Sequence, residues 1–220
     1  KNQKYHVEFD IEFKKNTFPG KLIAIEGIDG SGKTTQAKIL CEKLEKMGHK
    51  TLCTKEPTDK PTGKFIRDVL SERIKVPPVS IQYLYGADRA VHQLEIEEYL
   101  KKGYYIITDR YFWSSVAYGA SDMGKIDDYQ LVVYSMLSFY NQFLKPDYNF
   151  YLKVSPKTGL TRVNETGKEK EVYENMEKLL KIEKGYEFLL KRFPDEFTVI
   201  NAEKSLDRVT EEILGRIKKI

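Results

Sequence analysis

The sequence predicts an α/β fold: a five-stranded parallel sheet with helices on both faces. Three observations lead there. Five short apolar runs alternate with helical patterns from Lys21 onward, the signature of a parallel sheet whose crossovers are helices. The run Tyr104-Tyr105-Ile106-Ile107-Thr108 has no polar face, as a central strand covered on both sides requires. Finally, Gly27-Ile28-Asp29-Gly30-Ser31-Gly32-Lys33-Thr34 fits G-x-x-x-x-G-K-[ST] and lies between an apolar run and a helical pattern. That placement specifies a P-loop NTPase fold.

The elements follow in order. Tyr5, Val7, Phe9, Ile11 and Phe13 alternate with polar neighbours, which predicts an extra N-terminal β-strand within an extension covering residues 1–20. A turn cluster with Pro19 closes it. Residues 21–220 then form one medium-sized domain. Its strands are expected at Leu22–Glu26, Thr51–Thr54, Tyr104–Thr108, Phe150–Val154 and Phe197–Asn201. Helical spacing marks Lys33–Met47, Gly63–Glu72, Ser80–Lys101, Asp127–Leu144, Lys170–Arg192 and Ser205–Lys219. The polar stretch Thr166–Glu171 suits a mobile insertion.

Composition narrows the function classes. At 220 residues the chain can bury a single core, and 40% hydrophobic with 32% charged residues is ordinary for a globular protein. A net charge of +4 suits small anionic ligands and argues against a dedicated nucleic-acid binder. No apolar run is long enough to span a bilayer, and residues 1–20 are too charged for a signal peptide. The two cysteines, Cys41 and Cys53, have no metal-ligand spacing and are expected as reduced, buried thiols in a cytoplasmic protein.

The chemistry starts at the loop. Its glycines let backbone N–H groups wrap a polyphosphate, and the following helix N-terminus adds partial positive charge. Lys33 is placed to reach the β- and γ-phosphates, and the Thr34 hydroxyl to bind Mg²⁺. Asp109-Arg110-Tyr111 follows a central strand, so Asp109 emerges at the C-terminal rim, where ligands bind in open α/β sheets. An acid there can hold Mg²⁺, and Arg110 can grip a phosphate with its planar fork. Arg67, placed near the start of a helix, offers a second phosphate contact. Tyr85 and Arg89 share one helix face, which suits a base or simply core packing. His6, His49 and His92 are scattered and are given no catalytic role.

The joint order of several short motifs resembles the thymidylate kinase family. These are the P-loop with an acid at its third position, Glu56-Pro57-Thr58, Gly63-x-x-Ile66-Arg67, Tyr85-x-Ala87-x-Arg89, Asp109-Arg110-Tyr111-x-x-Ser114-x-x-Ala117-Tyr118, Lys145-Pro146-Asp147 and Asn201-Ala202-Glu203-Lys204-Ser205. The resemblance runs from Leu22 to about Ile217 and implies transfer of the γ-phosphate of ATP to dTMP, with Mg²⁺, in a homodimer. It implies that Gly27, Gly30, Ser31, Gly32, Lys33, Thr34 and Thr35 hold ATP phosphates, with Lys204 also on the ATP side. Asp29 then meets the dTMP sugar, Arg67 and Arg110 its phosphate, Tyr85 and Arg89 its base, and Ser114, Ser115 and Tyr118 lie near thymine. Tyr173 resembles an aromatic that packs under the sugar and disfavours a 2′-hydroxyl.

Two departures stand out. Gly30 replaces an arginine that one branch of the family carries in the loop, and Val172 stands where a lid arginine is usual. The resemblance also implies a short lid near residues 162–173, whose cation is therefore expected to be Arg162 or Lys168, closing over the β,γ-bridge. Other readings remain at this point: another nucleoside-monophosphate kinase, a deoxynucleoside kinase, or a nucleotide-binding protein without activity. A guanine-nucleotide switch is disfavoured because no Asn-Lys-x-Asp segment occurs.

Overall fold

The computed structural model describes residues 3, 5–6, 8–122, 129–165 and 175–217. The order of elements is β1 (Lys21–Glu26), α1 (Lys33–Lys46), β2 (Thr51–Lys55), α2 (Pro61–Leu70), α3 (Pro78–Lys101), β3 (Tyr105–Asp109), α4 (Phe112–Asp122), α5 (Tyr129–Tyr140), β4 (Tyr148–Lys153), α6 (Pro156–Glu165), α7 (Met176–Arg192), β5 (Thr198–Asn201) and α8 (Leu206–Ile217). The five strands form one parallel sheet in the order β2-β3-β1-β4-β5.

This order explains where the site lies. The chain leaves β1 toward β2 and leaves β3 in the opposite direction, toward β4. Right-handed crossovers then place α1 on one face and the helices between β2 and β5 on the other. α1 packs on β1, β2, β3 and α8, while α3 packs on β1, β3 and α4. The C-terminal ends of β1 and β3 are thus neighbours whose loops part to opposite faces, which opens a crevice between them. The core is built from the strand residues themselves, with Leu22, Ile23, Ala24, Ile25, Ile106 and Ile107 fully buried. Asp147 ties two strand starts together: its Oδ2 accepts from Leu22 N at 2.8 Å and from Asn16 Nδ2 at 2.7 Å.

The structure corrects the sequence reading in several places. Among the described residues of Tyr5–Phe13 there is no β-strand; an isolated parallel bridge forms only just after it, from Lys14 to Leu144. Strand periodicity needs a free sheet edge as partner. Here Phe13 instead packs on α4, with its ring 5.7 Å from those of both Phe112 and Trp113, while Tyr5 and Phe9 stay exposed. Cys41 and Cys53 are joined in a disulfide, with Cα atoms 6.2 Å apart, rather than reduced. They meet because α1 lies directly on β2.

Two helices escaped the sequence pattern. α4 is buried along nearly its whole length, so it shows no polar face and no 3.6-residue stripe. α6 is short and polar, with only Pro156 and Gly159 buried. Other boundaries moved by a few residues. α2 begins at Pro61, a residue favoured in a helix's first turn, which puts Arg67 in its last turn rather than near its start. α7 begins after Asn175, whose side chain caps Lys178 N at 3.0 Å.

Candidate active site

The phosphate loop links β1 to α1. Gly27, Gly30 and Gly32 have φ of 148°, 75° and 92°, which residues with a Cβ rarely adopt. At Gly30 a Cβ would also fall 2.1 Å from the Gly159 carbonyl oxygen. The start of α6 therefore closes on the loop and excludes an arginine there. Gly32 supplies no capping side chain to α1, whose first turn holds no acid, so its N–H groups are left for an anion. Lys33 is buried and donates to the Ile28 carbonyl at 2.7 Å, lying along the loop. Burial, then the nearby Arg110 charge, pushes its ammonium down to about 8 against the opposing pull of Asp29, Asp109 and Glu26.

Asp109 ends β3 beside the loop, and the Thr34 hydroxyl donates to its Oδ2. Its Oδ1 is buried without a hydrogen-bond partner among the described residues. An orphaned carboxylate oxygen next to a hydroxyl is a hard-oxygen donor pair, and it fits a divalent cation that takes its remaining ligands from phosphate and water. No group of three or more acidic, histidine or cysteine side chains that could cage a metal alone occurs among the described residues.

Across the crevice lies a half-open cleft of about 450 Å³ lined by Asp29, Glu56, Pro57, Leu70, Tyr85, Arg89, Arg110, Tyr111, Ser114, Ser115 and Tyr118. Arg110 divides its guanidinium between two elements. Nη1 donates to the Gly27 carbonyl at 3.1 Å and to Ser114 Oγ at 3.4 Å, and Nη2 pairs with Asp29. The Tyr118 ring lies under it at 4.8 Å, and the Tyr118 hydroxyl donates to Asp29 Oδ2 at 2.9 Å. Burial alone would raise the Asp29 carboxyl. Arg110, Lys33 and Tyr118 outweigh it and hold the group below the usual carboxylate range.

Arg89, fully buried, pairs with Glu56 and donates to Ser115 Oγ at 2.9 Å, between the rings of Tyr111 and Tyr140. Burial opposes its charge, but Glu56 and those phenols raise its affinity for the proton above the ordinary value. Its Nη1 has no hydrogen-bond partner among the described residues.

A separate groove on the far side of the loop, about 530 Å³, is lined by Ser31, Gly32, Thr35, Gln36, Arg162, Ala202, Lys204, Leu206 and Val209. Arg162 is held there, donating to the Ala202 carbonyl at 3.2 and 3.1 Å, and Lys204 pairs with Glu212 at 2.9 Å. Arg67 does not line the cleft. It donates to the Pro57 carbonyl at 3.0 Å and pairs with Asp59 at 3.1 Å. Tyr173, Lys168, Val172 and the rest of the expected lid beyond Glu165 lie outside the described residues.

A family model described as thymidylate kinase matches residues 25–213, from the end of β1 into α8. The chain belongs to the thymidylate kinase family. It is 36% identical over 200 residues to a probable thymidylate kinase of Methanocaldococcus jannaschii, covering 90% of this chain and 96% of that one. It is also 36% identical over 205 residues to a probable thymidylate kinase of Pyrococcus horikoshii, with the same coverage. Among solved structures, thymidylate kinase from Candida albicans superposes with a TM-score of 0.75 at 28% identity, covering 91% of this chain and 92% of that one. As a member of the thymidylate kinase family, the chain is an ATP-dependent nucleoside-monophosphate kinase.

Sequence reading did not single out the groups that hold this kinase site together. Glu56 was visible only as part of a motif; in the structure it bridges Arg89 and His92, whose Nε2 meets Thr54 Oγ1 at 2.8 Å. Asp88 accepts from Thr58 N at 2.8 Å and from the Thr58 and Thr62 hydroxyls, both at 2.6 Å, and so fixes the Glu56-Pro57-Thr58 loop to α3. Gly63 lets this loop approach α2, since a Cβ there would sit 1.9 Å from the Thr58 carbonyl oxygen. We expect Asp88→Ala to cost about 2–4 kcal/mol of stability by leaving buried donors unpaired. Urea denaturation would show the lowered midpoint; a midpoint equal to the parent's would contradict the loop-anchoring role.

Glu26, last residue of β1, stands in the sequence only as the end of an expected strand. It is fully buried, and burial pushes its carboxyl up to about 7 against Ser114 and Arg110. The folded protein therefore keeps a proton that the unfolded chain releases near pH 4.5. Stability should fall as pH rises from about 4.5 to about 7, by about 2–4 kcal/mol, and then level off. Glu26→Gln carries no such titration. Denaturation of both proteins at a series of pH values should show the parent losing ground to the variant across that window; parallel curves would refute the assignment.

Proposed function

We propose that this kinase transfers the γ-phosphoryl group of ATP to the 5′-phosphate of dTMP, giving dTDP for dTTP biosynthesis. The observation that carries the reading is the meeting of two anion sites through one side chain. Arg110 is tied to the phosphate loop, at the Gly27 carbonyl and at Asp29, and also lines the cleft, where it reaches Ser114. Phosphoryl transfer requires two phosphates held in line with charge neutralised between them, and little covalent help from protein.

In this reading Gly27, Gly30, Ser31, Gly32, Lys33, Thr34 and Thr35 hold the ATP phosphates. The groove with Arg162 and Lys204 takes the rest of the ATP molecule. Thr34 and Asp109 would hold Mg²⁺, which when bound offsets phosphate charge. Arg110 holds the acceptor phosphate, and Asp29 and Tyr118 face its sugar. Tyr85, Arg89, Ser114 and Ser115 surround its base. The buried, unpartnered Nη1 of Arg89 supports a base that presents a carbonyl, because an unmet buried donor costs about 1–3 kcal/mol. Arg67, one side chain from the cleft wall at Pro57, joins the acceptor phosphate if it leaves Asp59. Tyr173 gates the sugar, and residues 162–173 act as the lid of a domain spanning 21–220.

A homodimer and a cytoplasmic setting belong to the same reading. Exposed apolar side chains on α3 and α5, such as Tyr83, Leu94, Leu131 and Phe139, support the first. Among the described residues no helix is long and apolar enough to cross a membrane. The test is a panel with ATP, Mg²⁺ and each nucleoside monophosphate, plus thymidine, read as ADP release. We expect dTMP to drive the fastest turnover. Preference for thymidine, or no acceptor-dependent ADP release, would reject the proposal.

A further inference from the structure

Arg110 is held in a backbone conformation that residues with a Cβ rarely adopt, with φ of 71°. Such conformations persist where the surroundings over-determine them, and they gather at functional sites. Three bonds do so here. Arg110 N donates to the Ile25 carbonyl at 2.9 Å, the Thr108 hydroxyl donates to the Arg110 carbonyl at 2.7 Å, and Tyr111 N donates to Glu26 Oε1 at 3.1 Å. The acceptor of the third bond is a carboxyl group with no exposure and no place in the cleft lining.

The second oxygen of Glu26 works on the same arginine from the other end. Oε2 accepts from the Ser114 hydroxyl and, at 3.3 Å, from the Tyr186 hydroxyl. Ser114 Oγ in turn accepts from Arg110 Nη1 at 3.4 Å and meets Tyr186 at 2.8 Å. One buried carboxyl group thus grips the peptide that follows Arg110 and the hydroxyl that touches its guanidinium.

We propose that Glu26 is a positioning residue: by bonding Tyr111 N and Ser114 it keeps Arg110 in its left-handed conformation, aimed at the acceptor phosphate. The inference rests on the reading of the cleft as the acceptor site. It adds a group that never touches substrate yet decides whether Arg110 can. An amide at this position keeps an acceptor for Tyr111 N and a polar partner for Ser114, so shape and hydrogen bonding are retained. A methyl group keeps neither.

The test compares Glu26→Ala and Glu26→Gln with the parent in steady-state kinetics and in crystals without ligand. We expect Glu26→Ala to raise KM for dTMP at least tenfold while KM for ATP changes less than threefold. Glu26→Gln should return KM for dTMP to within threefold of the parent. In the crystals, residue 110 should leave positive φ in the Ala variant and keep it in the Gln variant. Equal rises in both KM values, a Gln variant no better than Ala, or positive φ retained in Ala would each overturn the inference. If Glu26→Ala does not fold, Glu26→Asp, whose carboxylate is one methylene short of Tyr111 N, must show the same selective rise. Should the parent fail to use dTMP at all, the functional reading falls by itself, and φ at residue 110 in the variants still decides the positioning role.

Discussion

Arg110→Ala should lower kcat/KM for dTMP by about 30- to 1,000-fold. The range follows from about 2–4 kcal/mol for losing charge-assisted contacts to a phosphate in the transition state. The geometry says why the loss should be near the upper end. Arg110 spans from the phosphate loop, at Gly27 and Asp29, to the cleft wall at Ser114, so its removal unlinks loop and cleft as well as deleting a contact. It also leaves Asp29 without its ion-pair partner at the cleft mouth. Arg110→Lys should recover little, because an ammonium restores charge but not the fork. Steady-state kinetics at saturating ATP checks both variants. A loss below threefold in Arg110→Ala would show that the acceptor phosphate lies elsewhere.

Lys33→Ala should lower turnover by about 100- to 1,000-fold with dTMP affinity kept within threefold. A preorganised cation beside the transferring phosphoryl group contributes on this scale, and it acts on the donor rather than the acceptor. The fold should survive. Lys33 is buried at a cost, and its ammonium bonds only the Ile28 carbonyl and, at 3.5 Å, Ser31 Oγ of its own loop, so its loss leaves two acceptors to be met by water. Single-turnover measurements with dTMP binding followed separately would separate the two effects. Unchanged turnover would remove Lys33 from the chemistry.

The sheet and the phosphate loop were legible because each rests on local rules. Ile23, Ile25, Ile106 and Ile107 mark strands buried on two sides, and the spacing of Gly27, Gly32 and Lys33 carries its own mechanism. Asp109 could be placed at the rim because it ends such a strand. What escaped depends on contacts between distant segments. Arg67 pairs with Asp59, which sits in a loop whose path no local pattern reveals. Tyr186 lies on α7, 160 positions from Glu26, and nothing in its helix distinguishes it from a core tyrosine. Phe13 alternates like a strand residue, yet it finds the aromatic surface of Phe112 and Trp113 before any sheet edge. Cys41 and Cys53 were too few to suggest a bridge, and only the packing of α1 on β2 brings them together.

The central claim is that donor and acceptor phosphates meet at Arg110, between the loop of β1 and the end of β3. A crystal structure with ADP and dTMP bound tests it most directly. The account places the dTMP phosphate within hydrogen-bonding distance of the Arg110 guanidinium, with its base between Tyr85 and Arg89 and the ADP phosphates on the loop. A dTMP molecule seated outside that cleft, with Arg110 still closed on Asp29 and Gly27, would contradict it.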